Sequence, residues 1–112
     1  MAFVNLTPHV INVVLESGET FTFLPSGKVA RVSTSEVAVA PINGVPCVVR
    51  TLGSVDIPEL KDDEQGIVST MVLDAAVAQN HPMLSRLFVP DSGPTAVREG
   101  GLVKAVRRFV RV

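Results

Sequence analysis

Aromatic residues are scarce in this chain. Tryptophan and tyrosine are absent, and five phenylalanines supply the whole aromatic content of 4%. Proteins that bind single-stranded nucleic acid stack the bases on exposed aromatic rings, so this composition disfavours that class. Net charge is also small: the formal charge is −1, which gives no overall field to attract nucleic acid or an acidic membrane surface. Any electrostatic function must therefore be local.

Thiols and imidazoles are equally few. Cys47 is the only cysteine, which excludes an intramolecular disulfide, and its strand-like surroundings favour a buried thiol in a reducing compartment. The two histidines, His9 and His81, stand in no recognisable arrangement with acids, serines or the cysteine. We therefore predict no metal, no cofactor and no catalytic residues, and a binding protein is favoured over an enzyme.

Long apolar runs are missing as well. No stretch approaches the ~20 residues of a membrane-spanning helix, and the beginning of the chain lacks the charged and apolar regions of a signal peptide. We expect a cytoplasmic protein without a membrane partner.

The residues that are present suit a single compact domain over 1–112. Apolar residues occupy 46% of the 112 positions, which is enough for a sizeable core. β-Branched runs alternate with turn sequences, and Asn43-Gly44 is the strongest hairpin signal among them. The sequence predicts an α+β fold, with mostly antiparallel strands in a curled sheet or small barrel and one helix packed on it.

Local patterns assign the individual elements. The helix is predicted over 67–80 with Ser69 or Thr70 as its cap, the charged segment 56–66 is assigned to a surface loop, and Gly53 to a bulge. Strands are predicted at 2–6, 10–15, 20–24, 29–33, 36–40, 45–55, 96–99 and 102–112, and the segment 83–89 is predicted as a turn followed by a strand.

The polar loop 90–98 is the most distinctive stretch. Its two prolines fix φ, and Gly93 permits conformations that other residues avoid, so the loop is stiff. It leads into residues 98–112, which carry five basic side chains against Glu99, a net +4 in a chain whose remainder carries −5. Arginine binds phosphate in a bidentate manner, and hydroxyl and amide donors complete such a site. The predicted ligand-binding residues for a small anionic, nucleotide-like ligand are Arg98, Ser92, Gly93, Thr95, Asp91, Arg107, Arg108, Arg31, Ser26 and Lys28.

Several readings of these residues stay open. In a continuous strand Arg107 and Arg108 would point to opposite faces, so only one would reach the site. The free amides at the predicted helix start offer a second wall for an anion. Three further alternatives concern separate segments. The basic residues can instead form the polar face of a C-terminal strand. The segment 25–28 can be an ordinary type II turn, and Asp91-Ser92 can supply a nucleophile.

A resemblance adds a biological setting. The chain resembles, over nearly its full length, a family of small proteins encoded by bacteriophages, prophages and actinobacteria. The likeness is carried by Asn5-Leu6-Thr7-Pro8-His9, Pro25-Ser26-Gly27-Lys28-Val29-Ala30-Arg31-Val32, Val49-Arg50-Thr51, Ile67-Val68-Ser69 and Pro90-Asp91-Ser92-Gly93-Pro94-Thr95-Ala96-Val97-Arg98. Small phage proteins without catalytic groups include sponges that sequester nucleotide-derived signals of host defence. The resemblance implies that the protein acts in the host cytosol, and the analogy with such sponges suggests an anti-defence role.

The sequence therefore predicts a non-catalytic sponge for a phosphate-bearing ligand. Its apolar strands also predict a homo-oligomer with sites at or near subunit interfaces. Two alternatives remain: a structural or assembly protein of a phage or host complex, and a hydrolase of nucleotide signals.

Overall fold

The computed structural model describes residues 2–112. This part of the chain contains ten strands, one α-helix and a short 3₁₀ turn at Leu84–Arg86. The strands are β1 (Ala2–Asn5), β2 (Ile11–Val14), β3 (Thr20–Phe23), β4 (Arg31–Ile42), β5 (Val45–Asp56), β6 (Glu64–Ile67), β7 (Leu87–Pro90), β8 (Val97–Glu99), β9 (Leu102–Ala105) and β10 (Phe109–Val110), and the helix is α1 (Thr70–Ala78). The α+β prediction is confirmed, and the described strands form four open sheets rather than a closed barrel.

A four-stranded sheet in the order β1-β6-β7-β10 carries the core. Strands β1 and β7 run parallel to β6, whereas β10 runs antiparallel to β7. Gly66 in β6 admits large neighbours, because a Cβ there would stand 3.0 Å from Leu6 Cδ1 and 3.3 Å from Leu60 Cδ1. The buried cluster around it consists of Leu6, Ala30, Leu60, Val68, Val72, Leu73, Ala76, Leu87 and Val89.

The assignment of 56–66 to a surface loop is wrong at both ends. Strand β5 continues to Asp56, and Glu64 already begins β6, the strand between β1 and β7. Within the remaining loop Leu60 is only 7% exposed. Arg86 anchors this loop and the start of β6, since its guanidinium donates to the carbonyl oxygen of Lys61 and, through Nε at 3.2 Å, to that of Glu64. The charged residues of this segment suggested a loop, although the backbone of 64–67 pairs with β1 and β7.

The predicted helix is present but starts later in the chain. Ile67 ends β6, and the amide of Val68 donates to the carbonyl oxygen of Phe88 at 2.8 Å, so both residues belong to the sheet region. The β-branched side chains of these two residues suit extended backbone. Ser69 then caps α1 as predicted, with its Oγ accepting from the amide of Val72 at 3.3 Å.

A buried asparagine connects β1 to the neighbouring loop and strand. Asn5 is 3% exposed, and its Nδ2 donates to the carbonyl oxygens of His9 at 2.7 Å and Phe23 at 3.0 Å. Its Oδ1 accepts from the amide of Thr7 at 3.0 Å and from the Thr7 hydroxyl at 2.7 Å. One side chain thus fixes the course of the chain from β1 towards β2 and ties it to the end of β3.

Two short hairpins flank the core. The β2–β3 and β8–β9 hairpins are both present as predicted, and Gly100 and Gly101 adopt φ of +60° and +82° in the second turn. The single strand predicted over 102–112 is wrong, because the chain breaks between β9 and β10. At the break Val106 accepts from the amide of Val14 and donates to the carbonyl oxygen of Asn12, both at 2.9 Å. The competing pairing with β2 explains the interruption.

The long β4–β5 hairpin projects from the rest of the molecule. We call residues 34–52 the arm and the remainder the body. Asn43 and Gly44 turn the chain with φ of +50° and +77°, which confirms the predicted hairpin. Of the strands predicted at 29–33 and 36–40, residues 31–33 and 36–40 belong to one 12-residue strand, and 29 and 30 lie outside it. The arm gives the chain a radius of gyration of 16.5 Å, against ~13 Å for a compact domain of this size.

Gly53 marks the base of the arm. The strand register shifts between the pairs Val32–Val55 and Thr34–Leu52, which confirms the bulge predicted at this glycine. A Cβ at position 53 would overlap the Ser33 hydroxyl and stand 3.2 Å from the Ser33 carbonyl oxygen, so the close strand approach favours glycine.

Candidate ligand-binding site

The loop 90–98 is organised around Asp91. Asp91 Oδ1 accepts from the amide of Gly93 at 3.0 Å, and Oδ2 accepts from the Thr95 hydroxyl at 3.4 Å. Arg108 Nε donates to the same Oδ2 at 2.7 Å. The hydrogen bond from Arg108, followed by that from the Gly93 amide, holds the pKa of Asp91 below its usual range. The carboxylate therefore stays charged and shapes the loop.

Arg98 closes the loop from its other end. A terminal nitrogen of its guanidinium donates to the carbonyl oxygen of Ser92 at 2.6 Å and lies 3.4 Å from that of Gly93. The structure thus brings six predicted site residues together, and several of their polar groups bond to one another: Asp91, Ser92, Gly93, Thr95, Arg98 and Arg108.

A cleft lies beside Arg108. We call it the Phe–Arg cleft; its volume is about 480 Å³, and it is lined by Phe3, Phe21, Phe23, Phe109, Arg107 and Arg108. The ring centroids of Phe3 and Phe109 are 5.0 Å apart, and those of Phe23 and Phe109 are 5.8 Å apart. Phe21 is 50% exposed at the cleft. The volume of the Phe–Arg cleft lies within the range of small-molecule pockets.

Three strands from distant parts of the chain build this cleft. Phe3 lies in β1, Phe21 and Phe23 lie in β3, and Phe109 opens β10 opposite Pro90 of β7. The hydrogen bond from Asn5 to the Phe23 carbonyl oxygen, 3.0 Å long, holds the end of β3 beside β1. Tertiary pairing, rather than proximity in sequence, assembles the rings.

Both adjacent arginines line the Phe–Arg cleft. At the predicted site, the loop 90–98, only Arg108 of the two forms a hydrogen bond. Both reach the Phe–Arg cleft because they lie between β9 and β10 rather than inside a strand. Alternation of side chains does not apply there. Arg107 forms no ion pair with any described residue. Arg108 meets Asp91 through Nε, so its terminal nitrogens take no part in that ion pair.

The helix start meets the polar loop at a second, smaller cleft of about 330 Å³. Ser69 and Thr70 line it from the helix side, Ser92 from the loop, and Pro8 and His9 from the segment after β1. The predicted second wall for an anion therefore lies beside Ser92. The Ser69 hydroxyl is already engaged with the amide of Val72 as the helix cap.

The remaining predicted residues lie elsewhere. Ser26 and Lys28 line a separate cavity of about 480 Å³, which shares no lining residue with the clefts at Ser92 or the phenylalanines. Ser26 Oγ donates to the carbonyl oxygen of Asn5 at 2.8 Å, and Gly27 has φ of +89°. This geometry favours the turn reading of 25–28. Arg31 pairs in register with Asp56 below the arm.

No local sequence pattern indicates the aromatic part of the cleft. Alternation placed Phe21 and Phe23 on one face of a strand, which suggested core packing, yet Phe21 is half exposed. Phe3 and Phe109 carry no local signal that would join them to β3. The weak signal was the count itself, because four of the five phenylalanines line one cleft.

No family model, no curated protein and no solved structure matches the chain. Among residues 2–112, no helix is long and apolar enough to cross a membrane.

Proposed function

We propose that the protein binds, without turning it over, a small ligand that carries both a flat ring and a phosphate, such as a nucleotide derivative. The observation that carries this proposal is the Phe–Arg cleft, where two guanidinium groups stand beside four phenyl rings. A base stacked on an aromatic side chain contributes about 1–3 kcal/mol, and arginine complements phosphate in geometry and charge.

The cleft divides the ligand between two kinds of contact. Phe21, which is 50% exposed, offers its ring to a base. Arg107 has no ion-pair partner among the described residues, and the terminal nitrogens of Arg108 stand outside its pair with Asp91. Those groups receive the phosphate, while Asp91 keeps Arg108 in position. In an infected host cell, such binding would sequester a nucleotide signal and so act as an anti-defence sponge.

Calorimetry and thermal shift with AMP, cyclic AMP and ADP-ribose test the proposal. We expect at least one of these nucleotides to bind, and to bind more tightly than adenosine or ribose 5-phosphate, each of which lacks one half of the ligand. Arg107→Ala should weaken binding about tenfold or more, because a charged hydrogen-bonding partner is lost. Arg111→Ala is the matched control, since it removes the same charge from an exposed position that does not line the cleft.

A second pair of variants tests the aromatic contact. Phe21→Ala should weaken binding by a similar factor, whereas Leu24→Ala, at a side chain 69% exposed just beyond β3, should not. No stabilisation by any of the three nucleotides, with Arg107→Ala also silent, would sink the proposal. Chromatography of the recovered nucleotide separates binding from hydrolysis: an intact nucleotide supports a binder, and an altered one a hydrolase.

An assembly role is the second candidate, and the arm is the observation that favours it. Val37 and Val49, an apolar pair across its strands, are 62% and 53% exposed, which is unusual for a solitary domain. A pull-down that retains a defined phage or host protein, from a preparation in which mass spectrometry finds no released small molecule, would favour this role over ligand binding.

A further inference from the structure

The arm exposes most of its apolar side chains. Its exposed large apolar residues, each between 41% and 66% accessible, are Val37, Val39, Ile42, Val45, Val48, Val49 and Leu52. An isolated two-stranded hairpin is at best marginally stable in water, so a ribbon of this length requires a cover. The base of the arm has one, because Val32 and Val55 pack against the core of the body.

The two faces of the arm differ in polarity. On one face the cross-strand pairs Val37–Val49 and Val39–Cys47 follow one another, with no charged residue among them. On the other face Ala38–Val48 adjoins the ion pair of Glu36 and Arg50, which are 2.7 Å apart and neutralise each other. Neither face presents an uncompensated charge, so the arm offers nothing to a partner that is recognised by charge.

The dimensions of the arm define what can cover it. The arm contains nine residues of β4 and eight of β5. At ~3.4 Å per residue they make a ribbon ~30 Å long, and two strands make it ~10 Å wide. Each face therefore offers ~300 Å², and both faces ~600 Å², whereas a stable interface buries ~800 Å² on each partner. Contact through one face, or one arm held by an unlike partner, reaches at most the lower limit of such interfaces.

Reciprocal exchange doubles the area. If each copy encloses both faces of the other copy's arm, each arm buries ~600 Å² and each receiving surface buries the same area. The total of ~2,400 Å² exceeds the ~1,200–2,000 Å² of standard interfaces. We propose that the arm is the interface with a second copy of this chain, and that two copies exchange arms so that both faces of each arm are enclosed. Such an interface has two-fold symmetry, because each copy gives and receives the same element.

This proposal does not rest on ligand binding, since no residue of the arm lines the Phe–Arg cleft. Sedimentation of the full chain at about 1 and about 100 µM measures the association, which is concentration dependent. We expect a dimer at the higher concentration. A monomer at about 100 µM overturns the proposal, even if the arm binds some other protein.

Variants on each face test the enclosure. Two double variants are needed, one for each face. One carries Val37→Glu and Val49→Glu, which place two charges on one face, and the other carries Ala38→Glu and Val48→Glu, which place two charges on the opposite face. Each variant should give a folded monomer. Ser17→Glu/Ser85→Glu is the matched control, because it adds the same two charges at exposed polar positions of the body. If only one face responds, or if neither does, the exchanged dimer is wrong.

Hydrogen exchange in the wild-type chain keeps the test decisive where a variant fails to fold. Arm amides should exchange slowly at about 100 µM and at least tenfold faster at about 1 µM, while those of β6 and β7 do not change. Exchange of the arm at about 100 µM that is as fast as that of an exposed loop contradicts the proposal.

Discussion

The body and the arm use the same kind of residue to opposite ends. Val68 in the body is fully buried beneath α1, whereas Val37 in the arm is 62% exposed. Val37 stands in β4, and Val68 follows directly after β6 and bonds to Phe88 of β7 through its backbone amide. In the body a helix and a sheet enclose the valine from several sides, while in the arm two paired strands cover only each other's backbone. A β-branched sequence is thus sufficient for strand pairing, but burial requires a further layer.

This difference predicts where the folding free energy resides. Buried apolar surface provides the main stabilising contribution to a domain, and the buried cluster lies entirely in the body. The Phe–Arg cleft also belongs to the body, because Phe3, Phe23 and Phe109 extend from β1, β3 and β10. We therefore expect the arm to be expendable for folding of the body but not for the proposed association.

Leu87→Ala should have the largest effect on stability. The side chain is fully buried in β7, and its truncation should lower the free energy of unfolding by about 3 kcal/mol, because the lost contacts leave a cavity. Val48→Ala in the arm should cost less than about 1 kcal/mol in dilute protein, since the side chain is 53% exposed. Urea unfolding at about 1 µM measures both. Equal losses would contradict the division between body and arm.

Asn5→Ala should have an intermediate effect. The substitution removes the partners of the Thr7 amide and of the His9 and Phe23 carbonyl oxygens in a largely buried region, and should cost about 2 kcal/mol. Asn12→Ala is the control: its Oδ1 accepts a hydrogen bond from the exposed Thr22 hydroxyl, so we expect a loss of a few tenths of a kcal/mol. A similar loss in both variants would refute the structural importance of Asn5.

The Glu36–Arg50 pair in the arm and the Asp91–Arg108 pair in the body should have the smallest effects on stability, and these effects should differ in their pH dependence. Glu36→Gln in the arm should change stability by less than about 1 kcal/mol at any pH, because both partners are about half exposed. Asp91 has a lowered pKa, so its stabilising contribution is present above the usual pKa range of aspartate and is lost as the pH falls through the lowered value.

Acid unfolding of wild type and Asp91→Asn measures this contribution. The difference in unfolding free energy between them should be constant near neutral pH and shrink in acid, where the wild-type carboxyl group takes up a proton and loses its pair with Arg108. A difference that persists unchanged to the acid limit of folding would show that charge is not what Asp91 supplies.

Local chemistry made part of the fold predictable. Asn43-Gly44 set a two-residue turn, Ser69 capped the helix, and Gly53 marked the bulge. In each case neighbouring residues determine the backbone geometry. The loop at Asp91 belongs to the same class, because its contacts to Gly93 span two positions of sequence.

Competition between distant segments made the rest unpredictable. Val106 pairs with β2 and thereby breaks the C-terminal strand, which turns Arg107 and Arg108 towards one cleft. The aromatic part of the candidate site depends on pairings of the same kind, such as that of β10 with β7. No pattern within a window of a few residues reports on these pairings.

The contact between Phe3 and Phe109 has a consequence for the life of the chain. These rings, 5.0 Å apart, come from nearly opposite ends of the 112-residue sequence. During synthesis the segments that carry Phe3 and Phe23 emerge early, but β10 follows only after almost all other elements have been made, and contacts of such long range form slowly. The Phe–Arg cleft therefore cannot form until β10 has been made, and the proposed ligand binding must wait for this strand.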